Sequence, residues 1–381
     1  MDIFLQVLYT VLVFGFLIFI HELGHFIAAK IFKVQVNEFS LGFGPLIVGI
    51  KNKRFLHLFQ KKNKEDDATD FTGTKYALRL LPFGGYVNME GENEESENPA
   101  AFTKKPAWQK IIIVIAGVFM NLVTAFIITA VIICTNPTAS TTVAEFNENS
   151  VSAQSGLMEN DTIIRINGTK INNFVDINSA LQDTITKEDF YYGFAEIEVI
   201  RNGTNIILNE VRLPYAYVST GEYVTKENIS ENTEKPRIMT IDFKMYALKI
   251  SFTTFFTETL KELGSYIKLT YKTLFQIITG DLSVEYVSGP VGTSYVISEA
   301  ASYGLSDLLF VVSLISVNLA VFNLLPFPAL DGGRAVFLIY ELIFRRRVNQ
   351  KIEGAIHAIG LLLLLGLTLL ILFKDIFFPI Q

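Results

Sequence analysis

The sequence predicts a polytopic α-helical membrane protein with four transmembrane helices, a membrane-associated β-hairpin element and an α+β domain outside the membrane. Three observations lead there. Half of the 381 residues are hydrophobic and mean hydropathy is positive at +0.37, which disfavours a purely water-soluble single core. Four apolar windows, Ile3 to about Phe32, Ile111 to Cys134, Leu308 to about Leu325 and Ile356 to Phe373, approach or exceed the roughly 20 residues a helix needs to cross about 30 Å of hydrocarbon. Between them, apolar and polar residues alternate around glycine-rich turns, the period of half-buried strands. The net charge of −6, without a basic block interleaved with aromatics, excludes nucleic acid as a partner. Cys134, the single cysteine, has no intrachain disulfide partner and reads as a small buried hydrophobe.

The first segment, residues 1–33, lacks a basic n-region and a small-residue cleavage site, so it is expected to remain as a transmembrane helix. No lysine or arginine precedes it, while Lys30, Lys33, Lys51, Lys53, Arg54, Lys61, Lys62 and Lys64 follow, and Lys104, Lys105 and Lys110 lead into the second span. The intervening loop should therefore be cytoplasmic and both termini should face outward. Arg334, Arg345, Arg346, Arg347 and Lys351 after the third span give the same orientation from the other end.

Within residues 34–106 the stretches VQVNEFSLGFGPLIVGI and YALRLLPFGGYVNMEG read as two hairpins, too small to stand alone and expected to lean on the membrane helices. GENEESENPAAF follows as an acidic linker. After the second span, residues 107–135, there is room for an outer domain over residues 142–214. Residues 240–300 connect onward, with Leu260, Leu263, Ile267, Leu274 and Ile278 at helical spacing. That pattern suits an amphipathic helix lying on the membrane or against the outer domain. The third segment covers residues 305–333 and the fourth 354–374.

The chemistry concentrates in FLIFIHELGHFIAAK, residues 16–30. His21-Glu22-Leu23-Gly24-His25 is an H-E-x-x-H sequence, and on a helix positions i and i+4 share a face about 6 Å apart, so two imidazoles can meet one metal. Glu22, beside the first imidazole, can reach a water on that metal and act as general base. Each ionisable group near the centre of a membrane helix costs on the order of 3 kcal/mol, so three together need a partner or a purpose. His57 in FLHLF and His357 at the start of the last span are the remaining histidines and read as satisfied or interfacial residues. Asp331 in NLLPFPALDGGR is the better third candidate on geometry, set against the plain alternative of an aspartate snorkelling at a helix end. His21 lies about 17 residues, roughly 26 Å, into a span running inward, and Asp331 reaches a similar depth on another span of the same direction. Pro326 and Pro328 should unwind the helix there and free Asp331 to face a cavity.

H-E-L-G-H together with Asn323, Pro326, Pro328, Leu330, Asp331, Gly332 and Gly333 resembles the paired signature of the site-2 protease family of intramembrane zinc metalloproteases, in its bacterial branch of the regulator of sigma-E protease type. The resemblance extends through Gly42-Phe43-Gly44, Phe83-Gly84-Gly85-Tyr86, Gly117 with Asn121, and Ser288-Gly289-Pro290-Val291-Gly292. SAQSGLMENDTIIRINGTKINN also resembles a circularly permuted bacterial PDZ domain, with Asn160 where that family usually has glycine. Asn tolerates the left-handed conformation that such a turn needs. One family departure is Val118 in place of a proline in the second span, which touches helix shape and no ligand.

The resemblance implies one Zn2+ per chain on His21, His25 and Asp331, with Glu22 as the catalytic residue assisting attack by zinc-bound water. It implies that Asn323 and Asn318 contact the substrate backbone, beside Pro326 and Pro328. It further implies an enzyme of the cytoplasmic (inner) membrane cleaving transmembrane proteins already cut by another protease, such as anti-sigma factors or remnant signal peptides. The PDZ-like domain would act as a size filter or docking site. Two other classes compete. A scaffold that kept the fold alone would be expected to lack a ligand or the base, and all four residues are present. A metal transporter would line further spans with polar residues, which the second and fourth contain sparsely.

Overall fold

The computed structural model describes residues 3–51, 54–57, 73–92, 94–136, 139–182, 191–217, 222–225, 237–248, 251–280 and 289–377. Contacts divide the chain into two units, Met1–Ile128 with Thr270–Ile380, and Thr129–Leu269. The chain begins with α1 (Ile3–Ile31), which is apolar on every face apart from Gln6, Thr10, the His21-Glu22-His25 cluster and Lys30. Three strands follow, β1 (Val36–Lys51), β2 (Arg54–His57) and β3 (Lys75–Met89), and then α2 (Ala107–Thr135).

The two expected hairpins form a single sheet of order β2-β1-β3. Its register explains the difference. The first half of β1 pairs with the end of β3 (Val36↔Met89, Leu41↔Gly85) and also with its beginning (Glu38↔Lys75, Leu41↔Leu78). The second half of β1 pairs with that same beginning (Val48↔Leu78, Ile50↔Tyr76) and with β2. Each long strand therefore bends and serves twice. Gly42 (φ +84°) and Gly84 (φ +93°) make the bends, in backbone conformations closed to most side chains. A Cβ on Gly42 would also lie 2.5 Å from Leu81 O.

Glu38 ties the sheet together. It accepts from Arg79 Nε at 3.1 Å, Arg79 Nη2 at 2.5 Å and the Tyr86 hydroxyl at 2.8 Å, while Lys75 Nζ stands 3.3 Å away. Burial alone would raise the Glu38 carboxyl; the hydrogen bonds from Arg79 and Tyr86 and the charges of Lys75 and Arg79 outweigh it and hold the group below the usual range. Phe43, Phe55, Leu80 and Leu81 of this sheet are exposed, an apolar surface that suits contact with lipid.

The second unit carries β4 (Ala139–Phe146), α3 (Val151–Gln154), β5 (Thr162–Ile166), β6 (Thr169–Lys170), α4 (Phe174–Gln182), β7 (Tyr192–Arg201), β8 (Thr204–Tyr217), β9 (Arg237–Met239) and β10 (Phe243–Ala247). The sheet order is β10-β4-β5-β7-β8-β9, with β6 on β5. Its core is made of alternating inward residues such as Ile163, Ile197, Val199, Val211 and Leu213, closed by Ile177 and Leu181 of α4. The sheet thus takes in strands beyond residue 214. Asp242 shows why: it accepts from the Val151 and Ser152 amides at 2.6 and 3.2 Å and from the Ser152 hydroxyl, closing the N-terminus of α3. Asn160 adopts φ +69°, the left-handed turn anticipated for it. Cys134, expected to be buried, is exposed on the last turn of α2.

Then come α5 (Phe252–Thr279), α6 (Pro290–Tyr303), α7 (Leu305–Leu324), α8 (Asp331–Phe344) and α9 (Gln350–Phe377). On α5, Glu258 and Tyr266 are buried while Phe252, Phe256, Leu260, Phe275 and Ile278 are exposed. Among the described residues four helices, α1, α2, α7 and α9, are long and apolar enough to cross a membrane. In the first unit Val13 and Leu17 of α1 pack with Ile297 of α6 and Val312 of α7. Ala28 and Ala29 of α1 pack with Ile113 and Val114 of α2 and Ala335 and Leu338 of α8. The short helices α6 and α8 were not anticipated from sequence. The resemblance residue Ser288 lies outside the described residues.

Candidate metal centre

Position i to i+4 on α1 puts His21 Nε2 and His25 Nε2 3.1 Å apart. The third group arrives from the far end of the chain. Helix α7 stops at Leu324, two residues before Pro326, and α8 starts at Asp331. Asp331 is therefore the first residue of a new helix rather than the tail of a span. Its Oδ2 lies 3.0 Å from His21 Nε2 and 3.3 Å from His25 Nε2.

The close approach is made by glycines. A Cβ on Gly24 of α1 would lie 2.3 Å from Ala116 O of α2, and a Cβ on Gly117 would lie 2.4 Å from His25 Nε2. Without these two glycines α1 and α2 could not cross beneath the imidazoles. Gly332 and Gly333 do the same for the turn before α8, where added Cβ atoms would come within 2.2 Å of Leu325 O and Phe327 O. Ser316 and Ser313 of α7 hydrogen-bond Asn121 O and Ala125 O of α2, at 2.8 and 3.3 Å, and fix that pair of helices.

The donor set fits a zinc ion. His25 Nδ1 is 2.8 Å from the Ile113 carbonyl, so it carries the ring proton and donates, which leaves Nε2 as a lone pair. Asn121 Nδ2 is 3.4 Å from His21 Nδ1, while its buried Oδ1 has no hydrogen-bond partner. Exchanging the two amide atoms puts an acceptor on His21 Nδ1–H, satisfies Oδ1 and leaves His21 Nε2 as a second lone pair. Asp331 Oδ2 is likewise a buried acceptor without a hydrogen bond. Three lone pairs thus converge, an arrangement that repels itself unless a cation lies between them. Their separations of 3.0 to 3.3 Å match the edges of a tetrahedron with bonds of about 2.0 Å, which are ~3.3 Å long.

Two cavities meet at this cluster. One, of about 410 Å³, is lined by His21, Glu22, His25, Asp331, Tyr86, Val87, Met89, Glu92, Arg334 and His357 among others. The other, of about 260 Å³, is lined by His21, Glu22, Asn121, Asn323 and Asp331 with Ile18, Leu319, Ala329 and Leu330. Glu22 and Asn323 therefore border the same space as the three donors. Gly85 of β3 brings the sheet against this site: a Cβ there would lie 2.8 Å from Ser40 O and 3.4 Å from Glu22 Cγ. Asn318 lies apart, its Oδ1 accepting from Thr270 Oγ1 at 2.6 Å. Pro326 is exposed, whereas Pro328 is half-buried against Gly360 of α9. Sequence reasoning missed the contact of His357, whose Nδ1 accepts from the Ala329 amide at 2.8 Å. Asn121 and Gly117 carried no chemical signal of their own beyond the resemblance.

The profile of peptidase family M50 matches residues 9–60 and 67–367. Among curated relatives, a protein of Clostridium perfringens with the provisional name of a zinc metalloprotease is 33% identical over 384 residues, covering 99% of this chain and 100% of its own. A protein of Clostridium acetobutylicum under the same provisional name is 32% identical, with 99% of each chain covered. The zinc metalloprotease RasP of Bacillus licheniformis is 27% identical over 449 residues, covering 96% of this chain and 97% of its own.

Proposed function

The chain belongs to peptidase family M50, the site-2 protease family of zinc metalloproteases, and from that premise we propose that it cuts transmembrane segments of other membrane proteins at the site formed by His21, Glu22, His25 and Asp331. The observation that carries the reading is the convergence of His21 Nε2, His25 Nε2 and Asp331 Oδ2 within 3.0 to 3.3 Å beside Glu22.

His21, His25 and Asp331 would hold one zinc ion. When bound, zinc supplies a Lewis acid that polarises the scissile carbonyl and makes water more acidic. Glu22 takes the proton from the attacking water and returns it to the leaving amine, the work of a general base turned general acid. Asn323 hydrogen-bonds the substrate backbone in this reading, which its place on the lining of the smaller cavity supports. A peptide in a membrane helix must first be unwound, because its carbonyls are already hydrogen-bonded. The end of β3 offers the means. Among the described residues this segment pairs only with β1, so its outer edge is open, and Tyr86, Val87 and Met89 lie on the cavity. An extended substrate added to that edge satisfies its freed backbone while presenting one carbonyl to the cluster.

The protein is a multi-pass membrane protein, and we place it in the cytoplasmic membrane with both termini outward, as the lysine and arginine distribution supports. Residues 142–214, with the strands β9 and β10 that complete their sheet, then form an outer PDZ-like domain that admits substrates already trimmed by another protease, whether anti-sigma factors or remnant signal peptides. Asn318, whose Oδ1 is taken by Thr270, has its Nδ2 amide to offer a substrate carbonyl in this reading.

The test is cleavage of a transmembrane test substrate by the purified full-length chain in detergent. Glu22→Gln is expected to lower the rate about 10²- to 10⁴-fold, and a chelator should abolish activity until zinc is returned. Cleavage at the wild-type rate by the Glu22 variant would remove Glu22 from the chemistry.

A further inference from the structure

We infer that His357 on α9 is a positioning residue for the metal site, holding through Nδ1 the turn that delivers Asp331; the inference rests on Asp331 being a zinc ligand. In the turn between α7 and α8 the Leu330 amide donates to Phe327 O at 3.2 Å, closing a four-residue turn with Pro328 and Ala329 at its centre. Ala329 sits at φ +76°, in the left-handed region that an alanine adopts only when its surroundings impose it. Two contacts from one face of α9 hold this turn against the helix. The Ala329 amide donates to His357 Nδ1 at 2.8 Å. Three residues along the helix, a Cβ on Gly360 would lie 2.4 Å from Pro328 Cβ and 2.6 Å from Pro328 O, so bare α9 backbone presses on the preceding residue. Residues i and i+3 of a helix lie side by side, and here they grip consecutive residues of the turn.

The ring is itself fixed. It packs at 60° on Phe337 of α8 with centroids 5.6 Å apart. Because an amide N–H can only donate, Nδ1 must be the lone pair, and neutral His357 keeps its proton on Nε2. That atom is buried without a hydrogen-bond partner, on a ring that lines the same cavity as His21, His25 and Asp331. An aliphatic residue would fill this space without an unsatisfied nitrogen, so packing alone does not account for a histidine. The turn does: Asp331 follows Ala329 by two residues, and a displaced Ala329 carries Oδ2 away from the two imidazoles.

The experiment measures zinc affinity by chelator competition, and the absorption bands of the cobalt(II)-substituted protein, on full-length chain in detergent. His357→Leu is expected to weaken zinc binding about 10- to 100-fold and to shift the cobalt bands. His357→Asn, whose Oδ1 takes the place of Nδ1, should recover most of the affinity. Gly360→Ala disturbs the same turn without touching His357, keeps the test open if the leucine variant does not fold, and should weaken zinc binding in the same direction. Wild-type affinity and spectrum in His357→Leu or in Gly360→Ala, or an asparagine variant no better than leucine, overturns the inference. Asp331→Ala separates the two levels. If it binds zinc as tightly as wild type, the ligand set is wrong; if it loses zinc while His357→Leu does not, only the positioning role falls.

Discussion

Gly117 donates nothing to the site, yet a single methyl there would lie 2.4 Å from His25 Nε2 and 2.7 Å from His21 Cε1. Gly117→Ala should therefore leave the protein membrane-inserted but unable to close its imidazoles on zinc, a loss read as metal stoichiometry after gel filtration. Asn121 works on the His21 imidazole from behind. Asn121→Ala is expected to lower zinc affinity about 10- to 100-fold, as losses behind a metal-bound histidine do, and Asn121→Asp, which keeps an acceptor for His21 Nδ1, should lose less. At this scale the sequence was most legible where chemistry has a local spacing. His21, Glu22 and His25 stand out because i and i+4 share a helix face, and Asp331 because prolines break an apolar run just before it. Asn121, Gly117 and His357 act across helices, 100 residues from His21 in the first case and 28 from Ala329 in the last, and no window along the chain reveals such a partner.

Elements follow the same division. The four apolar helices are legible because hydropathy accumulates over neighbouring residues. The sheet is not, because the two halves of β1 and of β3 pair with one another in three combinations that depend on bends at Gly42 and Gly84. Glu38 makes that folded-back arrangement testable by pH. Its folded carboxyl is held below the usual range, so its stabilisation is complete above the unfolded value of about 4.3 and is lost as pH falls through the lower, folded value. Glu38→Gln should cost about 2 kcal/mol at neutral pH, and the difference in thermal stability between the two proteins should vanish in acid. A gap that stayed constant on acidification would mean the ionised carboxylate is not what joins the strands. The helices α6 and α8 escaped notice because each has 14 residues, too few for a span.

For the whole molecule, the proposed orientation, with both termini outward, predicts that a single cysteine introduced beyond residue 377, in a Cys134→Ser background, reacts with a membrane-impermeant thiol reagent added outside intact cells. Labelling that needs the cells opened would reverse the assigned orientation. The outer boundary of the second unit was less legible than its start, since β9 and β10 reach it only through pairings such as Met239 with Tyr215 and Phe243 with Phe146. The break between α7 and α8 carries a consequence of a mechanical kind. Two donors belong to the first helix and the third opens α8, 306 positions beyond His25 (331 − 25), so an ion held by all three is a rivet through the two ends of the fold. Binding at about 100 times its dissociation constant would then add about 2.7 kcal/mol to the folded state, and stripping it should lower the melting temperature and free α1 from α8 in a spin-label distance measurement. In Asp331→Ala, where the rivet has lost one plate, zinc should no longer change either reading.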